Sequence, residues 1–427
     1  MAATSTTFRK EIEQVTPVRQ RVMGILFILA GVAIWLLFIR GTESGVVTKF
    51  GMTPGGMQAT IPDVIIPSVP TLYFLAAMSV ALGGAQLVRR GGFRKYTNLI
   101  LAFVAAMFVF GFLTYGAAGK SLSLGGLLNV SLAKAVPLTL GALSGILSER
   151  AGVVNIAIEG MMLSAAMTSC VIASITDSLW LGVLVGVITG GLYGVVHGVL
   201  SIKYKVNQII SGTAINIFST GITSYISSKF LQVYQNLNQS GTFPAYPLPV
   251  LSKIPFFGPI FFNHNMYVYA MYLFLIILTV ALFYSKWGLR LRSVGEHPKA
   301  ADTLGINVIR TRYMAVILGA MMAGFAGSYF TLGAVGRFDE VMTAGRGFIA
   351  LAAMIFGNWM PVGSLGAGLL FGFTDALASK LAILQLKIPS QFLLMAPYVV
   401  TMIVLAGVVG NSQMPAADGV PYEKEGD

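Results

Sequence analysis

Long apolar runs recur along this sequence, and this repetition constrains its fold more than any other feature. Most runs are about 18–22 residues long, which suits helices that cross a bilayer, and they do not alternate polar with apolar residues as barrel strands do. They fall at residues 22–39, 69–88, 97–115, 128–147, 152–175, 179–202, 206–226, 265–285, 313–333, 346–359, 361–379 and 392–410. We predict an all-α fold, a polytopic transmembrane helical bundle of about 12 spans. The range is roughly 10–12, because the tenth run is short enough to be re-entrant and polar groups interrupt the fifth.

The composition supports a surface that faces lipid. Only 10% of the residues are charged and 56% are hydrophobic, whereas a soluble domain of this size needs much more charge to cover its surface. The net charge of +12 would indicate nucleic acid in a soluble protein. Here the basic residues lie in short blocks between apolar runs, as in membrane proteins. We therefore predict membrane lipid, and no nucleic acid, as a partner.

Lysine and arginine residues mark one side of the predicted membrane. They form four blocks, before the first run and after the second, sixth and eighth: Arg9, Lys10, Arg19 and Arg21; Arg89, Arg90, Arg94 and Lys95; Lys203 and Lys205; Lys286, Arg290, Arg292, Lys299, Arg310 and Arg312. With twelve spans and a cytoplasmic N-terminus, all four blocks lie in the cytoplasm. The first run is longer than the core of a signal peptide, so we interpret it as an uncleaved span.

The polar residues divide the sequence into three parts. Residues 1–95 contain an N-terminal tail and two spans joined by a loop rich in Gly and Pro, and they are predicted to form an appendage. From about residue 97 onward polar residues inside the spans become frequent, and such residues are retained in a membrane mainly for function. We predict that residues 96–410 form the functional core and that 411–427 form a short polar tail.

Several kinds of chemistry are excluded by the sequence. The single cysteine, Cys170, rules out a disulfide within the chain, and the three histidines are too scattered for a metal site. The sequence Gly119-Lys120-Ser121 resembles the end of a phosphate-binding loop, but Thr114 stands where that motif needs a glycine. There is also no plausible pairing of a nucleophile with a base. We predict no catalytic residues, no metal site and no enzyme activity on this chain.

The longest predicted cytoplasmic loop, Gly288–Val308, contains a candidate short helix. This helix can begin near Pro298, since a proline in the first turn loses no hydrogen bond, and it can end near Gly305. It is too short to be stable alone, so it requires a partner surface. The alternative interpretation is a solvated connecting loop.

Polar residues also interrupt the beginning of the fifth run. Glu149 and Arg150 are expected to pair in a cytoplasmic turn. Asn155 and Glu159 are then i and i+4 on one helix face, one turn into the membrane. An intramembrane carboxylate indicates a functional site by default, although Glu159 can equally pin a helix through hydrogen bonds.

Two further segments place polar residues inside spans. Gln208, Gly212 and Asn216 share a helix face, where they either line a path or bond a neighbouring helix. Glycines bracket a short apolar helix between residues 345 and 363, a feature that in transporters often exposes a helix N-terminus to substrate, while Arg346 there has the alternative of snorkelling. The predicted substrate path comprises Asn155, Glu159, Gln208, Asn216 and Phe348.

A glycine ladder in the sixth run predicts close helix packing. Its members recur every fourth residue: Gly182, Gly186, Gly190, Gly194 and Gly198. They line one helix face and allow a neighbouring backbone to approach. The ladder indicates a tight core of several helices and no chemistry.

Together these segments resemble the permease subunits of ABC importers of the ribose/simple-sugar/nucleoside branch, and most closely the nucleoside-type permeases. The resemblance rests on four motifs in the family's order: Pro137–Gly160, Tyr204–Asn216, Gly288–Val308 and Gly345–Gly363. It extends over roughly residues 97–410. The first two spans lie outside the pattern.

The resemblance implies a type II-like permease core in the cytoplasmic (inner) membrane of a prokaryote. Two permease subunits, identical or paralogous, would pair around a central path, and a cytoplasmic ABC ATPase would dock on the coupling loop. The residues that match this loop are Gly295, Glu296, Pro298, Lys299, Ala301, Asp302 and Gly305. ATP and Mg would be bound by that ATPase, so no cofactor is expected on this chain. An extracellular or periplasmic solute-binding lipoprotein would deliver a small-molecule nucleoside or sugar, and the long loop Lys229–His264 is a candidate contact for it.

The leading function is thus import of nucleosides, driven by ATP hydrolysed on partner subunits. A ribose-type sugar permease is the alternative within the class. A different class is an ion-coupled secondary transporter that works alone and uses Glu159 or Asp375 as its ion site. A channel or scaffold is a third class, and its solute flux would not respond to ATP.

Overall fold

The computed structural model describes residues 17–55, 57, 61–89, 92–383, 395 and 413–424. Within these residues, nine helices are long and apolar enough to cross a membrane: Pro17–Ile39, Ser68–Val88, Arg94–Gly116, Leu124–Glu149, Ile158–Thr176, Leu179–Lys203, Met266–Tyr284, Val308–Val335 and Pro361–Ile383. The predicted all-α, polytopic bundle is confirmed. The total number of spans stays a prediction, because the run at 392–410 lies outside the described residues except for Met395.

The chain divides into two compact units. The first comprises Met1–Gly126 with Leu381–Ile388, and the second comprises Leu127–Lys380 with Pro389–Asp427. The first unit thus includes the third span as well as the first two. The functional boundaries expected at residues 95 and 410 stay predictions.

Three helices pack together in the first unit. They are α1 (Pro17–Ala33, continued by a wider π-helical turn over Ile34–Ile39), α2 (Ser68–Val88) and α3 (Thr97–Gly116, preceded by a 3-10 turn over Arg94–Tyr96). A glycine permits close approach of α1 to α2, since a Cβ on Gly31 would lie 2.7 Å from the carbonyl oxygen of Ala76. The side chains of Phe27, Ile34 and Leu72 are fully buried around this contact.

A small sheet follows α1 in the same unit. Its strands are β1 (Val47–Gly51), β2 (Val64–Pro67) and β3 (Ser121–Ser123). Strand β1 lies in the middle, antiparallel to β2 with Thr48 opposite Ile66, and parallel to β3 with Phe50 opposite Leu122. The loop rich in Gly and Pro therefore contains extended pairing, which explains why its sequence shows no helical period.

The second unit contains the remaining helices; α4 and α14 extend a few residues beyond its bounds. They are α4 (Leu124–Glu149), α5 (Ile158–Thr176), α6 (Leu179–Gly198, continued over Val199–Lys203), α7 (Gln208–Ile226, continued over Ser227–Leu231), α8 (Phe257–Phe261), α9 (Met266–Tyr284), α10 (Lys286–Glu296), α11 (Pro298–Thr303), α12 (Val308–Ser328, continued over Tyr329–Val335), α13 (Arg346–Phe356) and α14 (Pro361–Ile383). The loop between α7 and α9 also contains 3-10 turns at Gln235–Asn238 and Leu251–Lys253, and a strand pair, β4 (Tyr246–Pro247) with β5 (Asn263–His264).

Helix α5 lies at the centre of this unit. It packs against α6, α7, α12 and α13, and every side chain from Ile158 to Met167 is buried. The glycine ladder on α6 makes this density possible. A Cβ on Gly182 would lie 2.7 Å from the carbonyl oxygen of Ser169, and one on Gly190 would lie 2.8 Å from the Cα of Gly324. The ladder therefore faces both α5 and α12.

Three of the apolar runs differ from the spans expected there. The seventh run forms α7, which is not among the nine spanning helices of the described residues. The fifth run was expected to be helical from residue 152, but α5 begins only at Ile158, because the chain turns at Gly152 (φ +84°). The tenth run forms only α13, whose 11 residues rise about 16 Å. This is roughly half of a hydrocarbon core of about 30 Å, which agrees with the short run expected there.

Candidate functional site

The N-terminus of α13 is held by one carboxylate from α5. Glu159 accepts a hydrogen bond from Thr343 Oγ1 at 2.6 Å and from the backbone N–H groups of Gly345 at 2.8 Å and Gly347 at 2.5 Å. The first N–H groups of a helix have no partner within the helix, and its dipole favours a negative charge there. Glu159 thus satisfies the N-terminus of α13 from a neighbouring helix.

The other end of α13 is held by Arg150, whose backbone lies against Gly295 near the end of α10. Arg150, which follows α4, donates from Nε to the carbonyl oxygen of Trp359 at 3.1 Å and from Nη2 to that of Asn358 at 3.4 Å. Since α13 rises only about 16 Å from this end, it is about half as long as the roughly 30 Å hydrocarbon core of a bilayer. We call α13 the half-helix.

The predicted pairing of Glu149 with Arg150 is wrong. Glu149 Oε2 instead accepts a hydrogen bond from Trp359 Nε1 at 2.7 Å, so the two neighbours both hold the turn after the half-helix. Burial lowers the pKa of the Arg150 guanidinium from its ordinary value, and the nearby Glu296 carboxylate offsets this in part. Their neighbouring positions in the sequence suggested a pair. In the structure both side chains bind Trp359, about 210 residues away, Glu149 through the indole N–H and Arg150 through the carbonyl oxygen.

Asn155 does not share a helix face with Glu159, because it lies in the loop before α5. Its Oδ1 accepts the backbone N–H of Ala157 at 3.1 Å, and its side chain is fully buried. The same loop is bound by His197, which contacts the carbonyl oxygen of Val154 through Nε2 at 3.0 Å. The expected shared helix face of Asn155 and Glu159 is therefore wrong.

Gln208 and Asn216 bond this loop from one face of α7, with Gly212 between them. Gln208 Oε1 accepts the N–H of Val154 at 2.6 Å, and Asn216 Oδ1 accepts the N–H of Gly160 at 2.8 Å. A Cβ on Gly212 would lie 3.0 Å from the backbone nitrogen of Ala157. Both side chains are buried and directed at the protein backbone, while Phe348 on the half-helix is 48% exposed. Substrate contact by the predicted path residues stays a prediction.

A charged cluster lies beside the half-helix. Asp375 on α14 pairs with Lys134 of α4 at 3.0 Å and with Arg346 at 3.5 Å, and Lys134 also donates to Ser379 Oγ at 2.7 Å. Two cations thus share one carboxylate, and charges among membrane-spanning helices are costly unless they are paired. Arg346 takes part in this cluster, so its charge is paired with a carboxylate of the protein. The sequence feature that could have indicated the cluster was Lys134, a lysine inside an apolar run.

The loop between α10 and α12 contains the predicted short helix. Pro298 is the first residue of α11, His297 accepts the N–H of Ala300 through Nδ1 at 3.1 Å, and Gly305 has φ +78° after the helix ends. Pro298 and Gly305 are the start and stop signals from which the helix was predicted, and both agree with the structure. The helix is also supported by packing, since its Ala301 is buried against Val294 and Val308.

The residues of this loop face in two directions. Gly295 and Ala301 are buried, and a Cβ on Gly295 would clash with the backbone of Arg150, so neither offers a surface for docking. The other residues predicted for ATPase coupling are exposed or half-buried: Glu296, Pro298, Lys299, Asp302 and Gly305. Leu304, which sequence reasoning missed, is 81% exposed at the tip. The docking role of the loop stays a prediction.

A polar cavity of about 820 Å³ opens at the opposite end of the unit. It lies between the segment 227–242 that follows α7 and the segment 335–340 that follows α12. Asn238 joins these segments, accepting the N–H of Phe338 at 2.7 Å and donating to its carbonyl oxygen at 2.9 Å. Part of the long Lys229–His264 loop therefore forms a wall of this cavity. At the end of the loop, burial lowers the pKa of His264.

Within the described ranges, no group of three or more His, Cys, Asp or Glu residues could hold a metal ion.

Residues 127–409 match the family described as the branched-chain amino acid transport system / permease component. The chain belongs to this family. It is a multi-pass membrane component of an ABC transporter, a class whose permeases work with an ATPase and a binding protein. The permease's first 126 residues lie outside the match.

Several relatives resemble the permease over most of their length. The guanosine ABC transporter permease protein NupQ of Bacillus subtilis is 38% identical over 303 residues, which cover 69% of this chain and 95% of the relative. The nucleoside ABC transporter permease protein NupC of Lactococcus lactis is 40% identical over 299 residues, which cover 67% and 93%. The putative glucose ABC transporter permease protein TsgC13 of Haloferax volcanii is 35% identical over 268 residues, which cover 62% and 80%. No solved structure matches the chain.

Proposed function

We propose that this permease carries nucleosides into the cell as one subunit of an ABC importer. The observation that carries the proposal is its 38% identity to a guanosine permease over 95% of that protein. The four motifs that indicated nucleoside permeases lie within or next to the described site. A nucleoside is neutral and rich in hydroxyl groups, so it suits a polar cavity such as the one beside Asn238.

The proposal places the energy source on partner subunits. A cytoplasmic ABC ATPase would bind ATP and Mg and would dock on α11 and the exposed Leu304, leaving no cofactor on this chain. A second permease subunit, identical or paralogous, would complete the path. A solute-binding lipoprotein would deliver substrate at the polar cavity, where the Lys229–His264 loop is its candidate contact.

The proposed location is the cytoplasmic membrane of a prokaryote, with the N-terminus and α11 in the cytoplasm. A test of this orientation uses the fact that Cys170 is buried. Ile65→Cys on β2 and Leu304→Cys after α11 replace side chains that are 63% and 81% exposed. A membrane-impermeant maleimide applied to intact cells should label the first and spare the second. The reverse pattern would contradict the orientation.

The decisive test of function is uptake by the complete transporter in proteoliposomes. With the ATPase, both permease subunits and the binding protein present, we expect ATP-dependent uptake of radiolabelled guanosine. The permease alone under a sodium or proton gradient should show none. Uptake by the permease alone would replace the proposal with an ion-coupled transporter, and flux that ignores ATP would indicate a channel.

A simple sugar is the second candidate substrate, because a relative with 35% identity is named as a putative glucose permease. Titration of the binding protein with nucleosides and with ribose or glucose separates the two. Binding of the sugar and not of the nucleoside would favour this candidate.

The docking role of the loop has its own test. Glu296→Gln with Asp302→Asn removes two carboxylates that are exposed or half-buried. We expect normal folding and a several-fold loss of substrate-stimulated ATP hydrolysis in the assembled complex. Unchanged stimulation would show that the ATPase docks elsewhere.

A further inference from the structure

The segment near the C-terminus, residues 413–424, folds onto the coupling loop and the half-helix together. Because this segment is short and polar, it would be expected to extend into water. Instead, Pro415, Ala417 and Asp418 are buried. We call residues 413–424 the C-terminal segment.

One part of the C-terminal segment is hydrogen-bonded to the base of the coupling loop. The N–H of Ala417 donates to the carbonyl oxygen of Gly295 at 2.8 Å, and the N–H of Ala416 donates to the carboxylate of Glu296 at 3.2 Å. These bonds join it to the residues immediately before α11. Movement of the loop therefore acts directly on the C-terminal segment.

Apolar packing adds to these bonds. The buried side chains of Val294, Ala301 and Val308 form a small cluster beneath α11, and Tyr422 of the C-terminal segment packs against it. Ala301 belongs to α11 itself and is 2% exposed. The segment thus supports the inner side of the helix, while Leu304 just after the helix is exposed.

The beginning of the C-terminal segment reaches the half-helix. The N–H of Gln413 donates to Asn358 Oδ1 at 2.8 Å. Asn358 and Trp359 form the turn that ends the half-helix, with Trp359 donating to the carbonyl oxygen of Met354 at 3.1 Å. Asn358 has φ +55°, a backbone conformation in which an Asn is more acceptable than most residues.

Two tight turns stiffen the C-terminal segment between these contacts. The N–H of Asp418 donates to the carbonyl oxygen of Pro415 at 3.1 Å, and that of Val420 donates to Ala417 at 3.2 Å. Gly419 has φ +78°, as required at the third position of a type II turn. Arg312 of α12, 2% exposed, anchors the second turn by donating from Nη1 to the carbonyl oxygen of Val420 at 2.9 Å. A stiff, anchored connection transmits displacement better than a flexible one.

We propose that the C-terminal segment is a positioning element that links the coupling loop to the half-helix, so that movement of α11 is passed to the helix held by Glu159. The chain of contacts runs from Glu296 through Ala416 and Gln413 to Asn358. The inference rests on the proposed function, because it needs an ATPase that moves α11.

The test cuts each end of the link with a single substitution that suits the local backbone. Ala416 is the second residue of the Pro415–Asp418 turn, where proline is favoured, so Ala416→Pro removes the N–H to Glu296 and retains the turn. Asn358→Gly removes the acceptor for Gln413 and suits the positive φ. The matched controls, Ala416→Ser and Asn358→Asp, retain the N–H and an acceptor oxygen.

The measurement is guanosine uptake per ATP hydrolysed by assembled transporter in proteoliposomes. Only purified assembled complex is reconstituted, so that ATP hydrolysed by free ATPase does not enter the ratio. We expect the double variant Ala416→Pro/Asn358→Gly to lower the ratio at least five-fold, with ATP hydrolysis continuing, and the double control Ala416→Ser/Asn358→Asp to retain it. Glu423→Gln, which breaks only an exposed ion pair with Lys205, should also retain it.

The outcomes separate the two proposals. A double variant that keeps the wild-type ratio overturns the link. In particular, a loss of uptake and of ATP hydrolysis in equal proportion is the result expected of a purely structural role. A wild-type complex that shows no ATP-dependent uptake overturns the proposed function and the link with it.

Discussion

Glu159 accepts the backbone N–H of Gly347 at 2.5 Å, although the two residues are 188 positions apart. The contact joins the start of α5 to the first turn of the half-helix. It requires glycine, because a Cβ on Gly347 would lie 2.5 Å from the Cα of Glu159. Glu159 was a candidate ion or substrate site, and its carboxylate accepts hydrogen bonds from three protein donors. These bonds hold the N-terminus of the half-helix, and a direct role of Glu159 in transport stays a prediction.

Replacing Glu159 by Gln should loosen the half-helix. The amide NH₂ cannot accept a hydrogen bond, so at least one donor among Thr343, Gly345 and Gly347 loses its partner, at a cost of about 2–3 kcal/mol. We expect a lower thermal unfolding temperature of the purified permease and reduced uptake. Glu43→Gln, at an exposed position, is the matched control. Normal stability together with lost uptake would instead indicate a direct role in transport.

Replacing Asp375 by Asn should leave Lys134 and Arg346 facing each other without a counter-charge. Because the cluster is about a quarter exposed, we expect a loss of about 1–3 kcal/mol, below that of a fully buried pair. The second change Lys134→Met removes the excess charge and should restore part of the stability. Thermal unfolding of the wild type and of the two variants measures this. If the double variant is no better than Asp375→Asn alone, repulsion between the cations is not the cause.

A methyl group on the glycine ladder should force α6 away from α12. A Cβ on Gly190 would meet backbone atoms of Ala320 and Gly324, which cannot move aside as a side chain can. We expect Gly190→Ala to destabilise the permease by about 1–3 kcal/mol. The control is Gly221→Ala on α7, where no atom lies within 4 Å and the higher helix propensity of Ala should be neutral or stabilising. Equal unfolding temperatures for the two variants would contradict the packing role.

Docking of the C-terminal segment should depend on pH through Asp418. Burial raises the pKa of its carboxyl to about 7, with the Arg312 charge offsetting this in part and the Glu149 carboxyl nearby, whereas in an undocked segment the pKa is about 3.9. The docked form binds the proton more tightly, so docking weakens about tenfold per unit as pH rises from about 4 to 7, and levels off above 7. Asp418→Asn should reduce this dependence, because it removes one of the two neighbouring carboxyl groups.

Hydrogen exchange of residues 413–424, corrected for the intrinsic effect of pH on exchange, measures the docking. Protection should increase as the pH is lowered from 7 to 5 in the wild type and should increase less in Asp418→Asn. Protection that increases with pH would show that Asp418 is stabilised as the anion.

Much of the fold could be predicted because its signals are local. The thickness of a bilayer sets the length of an apolar helix, so the runs gave the spans, and Pro298 and Gly305 gave the bounds of α11, since a helix start or stop depends on neighbouring residues. The spacing of the ladder placed its glycines on one face, as the helical period requires. The shared face of Gln208 and Asn216 followed in the same way.

The tertiary structure alone decided what these residues contact. Asn155 was assigned to a helix because nothing in the sequence showed that the turn after α4 continues as a loop to residue 157. Glu149 was paired with its neighbour because Trp359 lies 210 positions away. Asp375, Lys134 and Arg346 come together from three separate helices, and the C-terminal segment reaches Glu296 across 120 positions. Helical period and hydropathy report the environment of a residue but not its partner, because packing between distant helices depends on all of their surfaces at once.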